Sequence, residues 1–287
     1  MSTAGGQLAA LLALLSPSQG GAQALSNPES IEYHARLDRT LISSTGNGTI
    51  VARAADGTTS LFTAAPVSPY GIELLAGTLF VVDSGSVKGY DIDTAAPVMD
   101  LPLTGAGFLN GITSNGIDTL YVSDFSLRTV YAVHVANLAM PTQDAPVSTG
   151  AATPNGLAFD RTGNRLLIAT WGSSADILSL ELTPGATPAP LINTSLDNLD
   201  GITLDCHGAI VVSAWSGCAS GGCLRRFDPP FTLATPAQVI VDGLSNPADI
   251  DYDWVSADIA VPQSGSNTVS FHPSGCESAV FASDFER

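Results

Sequence analysis

The sequence predicts an all-β fold, a six-bladed β-propeller, and three observations predict it. A four-residue phrase recurs six times. A strand-like apolar run follows each copy. No stretch beyond the first 24 residues sustains the 3.6-residue apolar period of a helix. Composition agrees: 28 glycines and 18 prolines in 287 residues suit short strands and tight turns.

Taken from the N-terminus, Leu8 to Leu15 is a short apolar block, followed by Ser-Pro-Ser-Gln-Gly-Gly and Ala22-Gln23-Ala24. That is the pattern of a signal peptide over residues 1–24, although no Lys or Arg precedes the block. The chain is therefore expected to be exported, to a periplasmic or extracellular place. The repeat begins directly afterwards. Its copies are Pro28-Glu29-Ser30-Ile31, Pro69-Tyr70-Gly71-Ile72, Leu109-Asn110-Gly111-Ile112, Pro154-Asn155-Gly156-Leu157, Leu199-Asp200-Gly201-Ile202 and Pro247-Ala248-Asp249-Ile250. They are spaced 40 to 48 residues apart. Units of that size consume the chain after Ala24, so one propeller is expected over 25–275, with 276–287 as a tail or as the closing strand of the last blade through Ser278 to Phe281.

The second strand of each unit is read from Leu41-Ile42-Ser43-Ser44, Leu79 to Asp83, Leu120 to Asp124, Leu166 to Thr170, Ile210 to Ala214 and Ile259 to Pro262. These are β-branched and apolar runs bounded by turn residues. Third strands follow, as in Val130 to Val133 and Ile177 to Leu180. Short strands in six units describe blades arranged around an axial channel.

Four cysteines suit an oxidising compartment. Cys218 and Cys223 bracket Ala-Ser-Gly-Gly, a loop flexible enough to bring two Cβ atoms together. That leaves Cys206 and Cys276 for a second bridge.

Ten basic against 27 acidic residues give a net charge of −17, and Lys88 is the single lysine. Nucleic acid is disfavoured as a partner by long-range repulsion, as is an anionic membrane surface. No apolar run is long enough to insert in a membrane. The expected partner is a small molecule, and the expected state a monomer.

In a propeller the first strand of each blade lines the axis, so equivalent positions converge there. The second position of the phrase reads Glu29, Tyr70, Asn110, Asn155, Asp200 and Ala248, with Asp249 beside the last. Four of the six are carboxylates or carboxamides, which are costly to bury together without a compensating cation or donors. Turn chemistry explains any one Asn-Gly or Asp-Gly, but not the shared register. The atoms offered are hard oxygens, which match calcium or another divalent cation of similar preference. Zinc and copper lack the His or Cys they would need in this column. The four histidines, His34, His134, His207 and His272, lie outside the column and are expected at the surface.

These phrases resemble the signature positions of the gluconolactonase/regucalcin-like six-bladed propellers, and more distantly those of paraoxonases and strictosidine synthase-like proteins. The resemblance spans roughly Asn27 to Pro273. It implies that Glu29, Asn155 and Asp200 bind a divalent cation, commonly calcium, with Asn110 as a fourth ligand or substrate contact. It also implies that Asp200 is the general base of lactone hydrolysis. The chain departs from the resemblance at two places. Phe108 stands where sugar-lactone members carry an arginine, and Tyr70 where paraoxonase-like members carry a histidine.

The second strand returns to the face bearing the ring, which puts Asp83, Asp124, Phe125, Trp171, Trp215 and Gln263 there. With Tyr70 and Phe108, the aromatic members would form a mouth suited to an apolar or aromatic ligand. Trp171 and Trp215 fit equally well between blades as core, and Asp124 reads better as a turn acceptor. Three functions follow: a calcium-dependent hydrolase of lactones or related esters, with Asp200 and Asn110 catalytic; a non-catalytic, calcium-stabilised binding propeller; or a synthase of the strictosidine type.

Overall fold

Five of the six repeated phrases form the same local device, a β-bulge in the innermost strand of a blade. The inner strands are Pro28–His34, Pro69–Leu75, Leu109–Ser114, Thr153–Asp160 and Asp197–Leu204. In all five, the register against the second strand slips between the first and last residues of the phrase. The extra residue turns the side chain of the second position toward the axis, which is what bulges do beside functional sites. The computed structural model describes residues 22–277. Almost all of the expected leader, and the segment Ser278 to Phe281, lie outside the described residues.

Six antiparallel sheets follow one another around the axis, each built from consecutive strands. Blades one, two, four and five have four strands. The outer strand of blade three is split into Thr142–Gln143 and Val147–Ser148. Blade six has three strands among the described residues, Asp251–Asp253, Asp258–Gln263 and Thr268–Pro273. Its inner edge is extended by a bridge between Pro247 and Gln263. The fold is all-β: apart from a 3-10 turn at Ala35–Leu37, no helix occurs among the described residues, and none is long and apolar enough to cross a membrane.

The glycine of the phrase lets successive inner strands approach. A Cβ on Gly71 would lie 2.6 Å from the carbonyl oxygen of Asn110, and one on Gly111 would lie 2.5 Å from that of Asn155. Serines on the second strands tie the same layer. Ser123 Oγ accepts from the Gly111 amide at 2.8 Å and donates to the Asn155 carbonyl at 2.7 Å. Ser213 does likewise between Gly201 and Ala248, at 2.7 Å each. Gly111→Ala should therefore force backbone apart and cost about 3 kcal/mol, lowering Tm by roughly 6–12 °C in a thermal melt. Gly85→Ala, with open space around it, should change Tm by less than about 2 °C.

One apolar cluster fills each of the six interfaces between neighbouring blades. The thinnest joins blade six to blade one, where only Ile31, Ile42 and Ala260 are fully buried. Polar ties concentrate at that seam. Ser30 and Asp249 occupy the glycine register there, and Ser30 Oγ donates to Asp249 Oδ2 at 2.8 Å. The Tyr33 amide donates to Asp251 Oδ2 at 2.9 Å, and the Asn27 amide to Asn267 Oδ1 at 2.7 Å. Both expected disulfides are present, Cys206–Cys276 and Cys218–Cys223. The former fixes the end of blade six to blade five.

Candidate functional site at the channel mouth

The bulged column meets at one end of the channel. A cavity of about 420 Å³ there is lined by Glu29, Tyr70, Asn110, Asn155 and Asp200 from the inner strands. Phe125, Trp171 and Trp215 reach it from the residues that end or follow the second strands, and Phe108 from two residues before Asn110. The structure thus brings together Glu29, Tyr70, Asn110, Asn155 and Asp200 of the ring column with its aromatic wall, while Ala248 and Asp249 of the sixth copy do not line this cavity.

Asn155 and Asp200 are 1% and 3% exposed. Asn155 Nδ2 donates to the Leu199 carbonyl at 3.2 Å, which leaves Oδ1 turned away from that bond and without a partner. Asp200 Oδ1 likewise completes no hydrogen bond of normal geometry; the Trp215 indole Nε1 that faces it, itself otherwise unpartnered, acts on its charge without closing one. Buried oxygens left unsatisfied are rare and costly. Two of them lie on neighbouring blades in one cavity, and both are acceptors, so they fit a bound cation.

The electrostatics agree. Burial pushes the Glu29 carboxyl up to about 7. It raises Asp200 well above the usual carboxylate range, and the charges of Glu29 and Asp249 push the same way, opposed by the Trp215 indole. Carboxylates that resist ionisation for lack of a counter-charge become willing anions once a cation is near. Among the described residues, two other groups of metal-binding types converge, Cys206–His207–Cys276 and Cys218–Cys223–Asp242. Their cysteines are consumed in disulfides.

The open question over the two tryptophans is answered by the interfaces. Phe108, Phe125, Trp171 and Trp215 belong to none of the six interblade clusters, and Tyr70 only flanks one. All five rings are half-buried at the mouth.

Two expected wall residues are elsewhere. Asp83 accepts from the amides of Val67 and Ser68 and pairs with Lys88 at 2.7 Å. Gln263 Oε1 accepts from the Ser245 amide at 2.9 Å, and its Nε2 donates to Ser270. Both hold the loop that enters their own blade, as does Asp124 with Gly107 and Phe108, while it also accepts from the Leu127 amide in the turn that follows it. The wall begins one residue later, where the side chain is no longer engaged with that loop. His34 is also not at the surface: it is 6% exposed at the far end of the first inner strand.

Sequence reasoning missed the polar side of the mouth, Asn27, Thr45, Asn246, Ser264 and Gly265 of blades one and six. The signal was the register already in use, since Asn27 and Asn246 lie two residues before the ring position, as Phe108 does. It also missed a second acidic tier deeper in the channel. Glu32, Glu73, Asp249 and Asp251 line a narrow void of about 60 Å³. Burial pushes Glu73 up to about 8, Asp249 to about 8 and Asp251 to about 6, and raises Glu32 well above its ordinary range.

No family model matches the chain, and no curated protein matches it in sequence. Solved structures match its fold. A gluconolactonase from Xanthomonas campestris superposes with a TM-score of 0.68 at 15% identity, covering 87% of this chain and 86% of that one. Luciferin-regenerating enzyme gives 0.64 at 13% identity, covering 87% and 90%. A virginiamycin B lyase from Staphylococcus aureus gives 0.60 at 12%, covering 88% and 87%. The fold is shared; the sequence is not. At such identities the likeness speaks for architecture alone, and function has to be argued from the site.

Proposed function

We propose that the protein is an exported hydrolase of lactones or related esters that works with a divalent cation, calcium by preference, in the manner of the gluconolactonase/regucalcin-like propellers. One observation carries the reading. The buried Oδ1 atoms of Asn155 and Asp200 are unpartnered at the floor of an open cavity that also presents Glu29 and Asn110. Glu29, Asn155 and Asp200, with Asn110, would hold the ion through hard oxygens. When bound, it supplies the charge that polarises a carbonyl and offsets the negative charge growing on its oxygen.

The chain's own groups supply the rest. The Asn110 amide donates to the substrate carbonyl and orients it. Asp200 has two carboxylate oxygens, so one can ligate while the other takes the proton of the attacking water. Water adds to the carbonyl carbon, the acyl–oxygen bond breaks, and the departing alkoxide takes that proton back. The Trp215 indole faces Asp200 and favours its charged form. Two disulfides and the apolar block before Ala24 support export.

A panel of aliphatic and aromatic lactones, assayed with and without EGTA, tests the reading. Turnover should fall at least 100-fold in chelator and return with added calcium. Turnover indifferent to chelator would overturn it. A second reading rests on the lining, which holds no histidine, lysine or arginine among the described residues. A binding propeller would give cation-dependent thermal stability with no turnover on any member of the panel.

A further inference from the structure

The wall of the mouth says what kind of molecule the floor acts on. Tyr70 and Phe108 meet with ring centroids 4.9 Å apart, Phe108 and Phe125 at 5.7 Å, Phe125 and Trp171 at 5.8 Å, and Trp171 and Trp215 at 5.0 Å. Every contact is edge-to-face, with planes turned 63° to 85°. The five rings form one unbroken crescent across blades two to five. They arrive from three different registers of the repeat, so the chain's periodicity alone does not generate the row. The core does not need them either, because four of the five lie outside every interblade cluster. Half-exposed aromatic surface of this extent, concave and continuous, marks a binding site.

We propose that the site selects a neutral substrate bearing an aromatic or extended alkyl group. That group would lie against Tyr70, Phe108, Phe125, Trp171 and Trp215, with the ester or lactone carbonyl turned down to the oxygen ring. The inference rests on the hydrolase reading for the carbonyl and on the crescent for the apolar group. Apart from the Tyr70 hydroxyl and the two indole N–H groups, the polar side chains lining the mouth above the ring lie on the opposite side, on Asn27, Thr45, Asn246 and Ser264. A polyhydroxylated ring would therefore find most of its donors and acceptors on one flank, and would set most of its remaining hydroxyls against aromatic carbon on the other. An anionic substrate meets two ring carboxylates and a chain of net charge −17. An organic cation would be drawn to ring faces, but successive rings here are turned edge to face along a wall and do not enclose a box.

Binding can be read without catalysis. Two of the three tryptophans, Trp171 and Trp215, line the mouth, while Trp254 is 59% exposed outside it. The calcium-loaded protein is titrated with 5-phenyl-γ-lactam, whose amide resists hydrolysis, and with glucono-δ-lactam, following tryptophan fluorescence. The phenyl lactam should bind at least tenfold more tightly. Trp171→Leu should weaken it tenfold or more, and Trp254→Phe should leave it unchanged. Phe125→Leu provides the same reading should Trp171→Leu fail to fold. Equal affinities, a preference for the gluconolactam, or tighter binding of benzyltrimethylammonium would overturn the proposal. The two readings fail separately. Phenyl lactam binding with no ester or lactone hydrolysed would keep the pocket assignment and remove the hydrolase. Turnover of gluconolactone without phenyl lactam binding would do the reverse.

Discussion

Asp200→Asn is expected to lower kcat/KM by about 10²–10³, the usual range for loss of one electrostatic group at a reacting centre, and to weaken calcium binding at least tenfold. It should also raise the Tm of the cation-free protein at pH 8 by a few degrees. The two effects have one cause. Asp200 is 3% exposed, one of its oxygens lacks a partner, and the charges of Glu29 and Asp249 act on it. In the absence of a cation its ionised form is a liability, and an amide of the same shape removes that liability. With a cation the same charge is the strongest ligand of the ring. A carboxylate kept for structure behaves oppositely. Asp124, engaged by three amides and Ser126, should lower Tm when changed to Asn, without altering calcium affinity. The measurements are steady-state kinetics, calorimetric titration with calcium, and melts in EGTA. Unchanged calcium affinity in Asp200→Asn would remove the residue from the site.

The ring was legible because symmetry makes one sequence register equivalent in six blades, so a polar letter repeated in it stands out against an apolar surround. That register gives Glu29, Asn110, Asn155 and Asp200, and all four line one cavity. It strays where a register changes its role within a single step. Asp83, Asp124 and Gln263 end their second strands and hold backbone, whereas Thr45, Phe125, Trp171, Trp215 and Ser264 lie at the next position along and line the mouth. Strand alternation sends neighbours to different surroundings, and sequence alone does not say which of two polar or aromatic neighbours faces the axis. The deeper tier was missed for another reason. Three residues beyond the ring position the chain reads Glu32, Glu73, Thr113, Ala158, Thr203 and Asp251, acidic only in blades six, one and two. Half a column does not register as a pattern. Those three blades flank the seam and its neighbouring interface, so the acidic residues are crowded on one side of the channel.

That crowding sets the pH response of the whole protein. Burial pushes Glu73 and Asp249 up to about 8, Glu29 to about 7 and Asp251 to about 6, and burial together with the charges of Asp251 and Glu73 raises Glu32 well above its ordinary range. A carboxyl whose folded value is raised favours the fold while it is protonated in both states, below its unfolded value near 4. That contribution is lost as pH climbs through the folded values between 6 and 8. At the acid end the sign reverses. Asp83 and Asp124 are pushed up by burial but pulled below their ordinary values by stronger donors, so they lose stabilising charge as pH falls through their lowered values. Cation-free protein should therefore be most stable at about pH 4–5. At about 1.4 kcal/mol per unit, reduced by water in the channel, the fall to pH 8.5 should reach several kcal/mol, on the order of 10 °C in Tm. Calcium should act in the opposite sense. Bound among these groups it lowers their affinity for protons, so its stabilisation should be small at pH 5 and largest at pH 8.5. Glu73→Gln should flatten the decline in EGTA by removing one titrating group without altering the mouth. A Tm in EGTA that holds level from pH 5 to pH 8.5 would mean that these carboxylates are already neutralised within the fold by some other means.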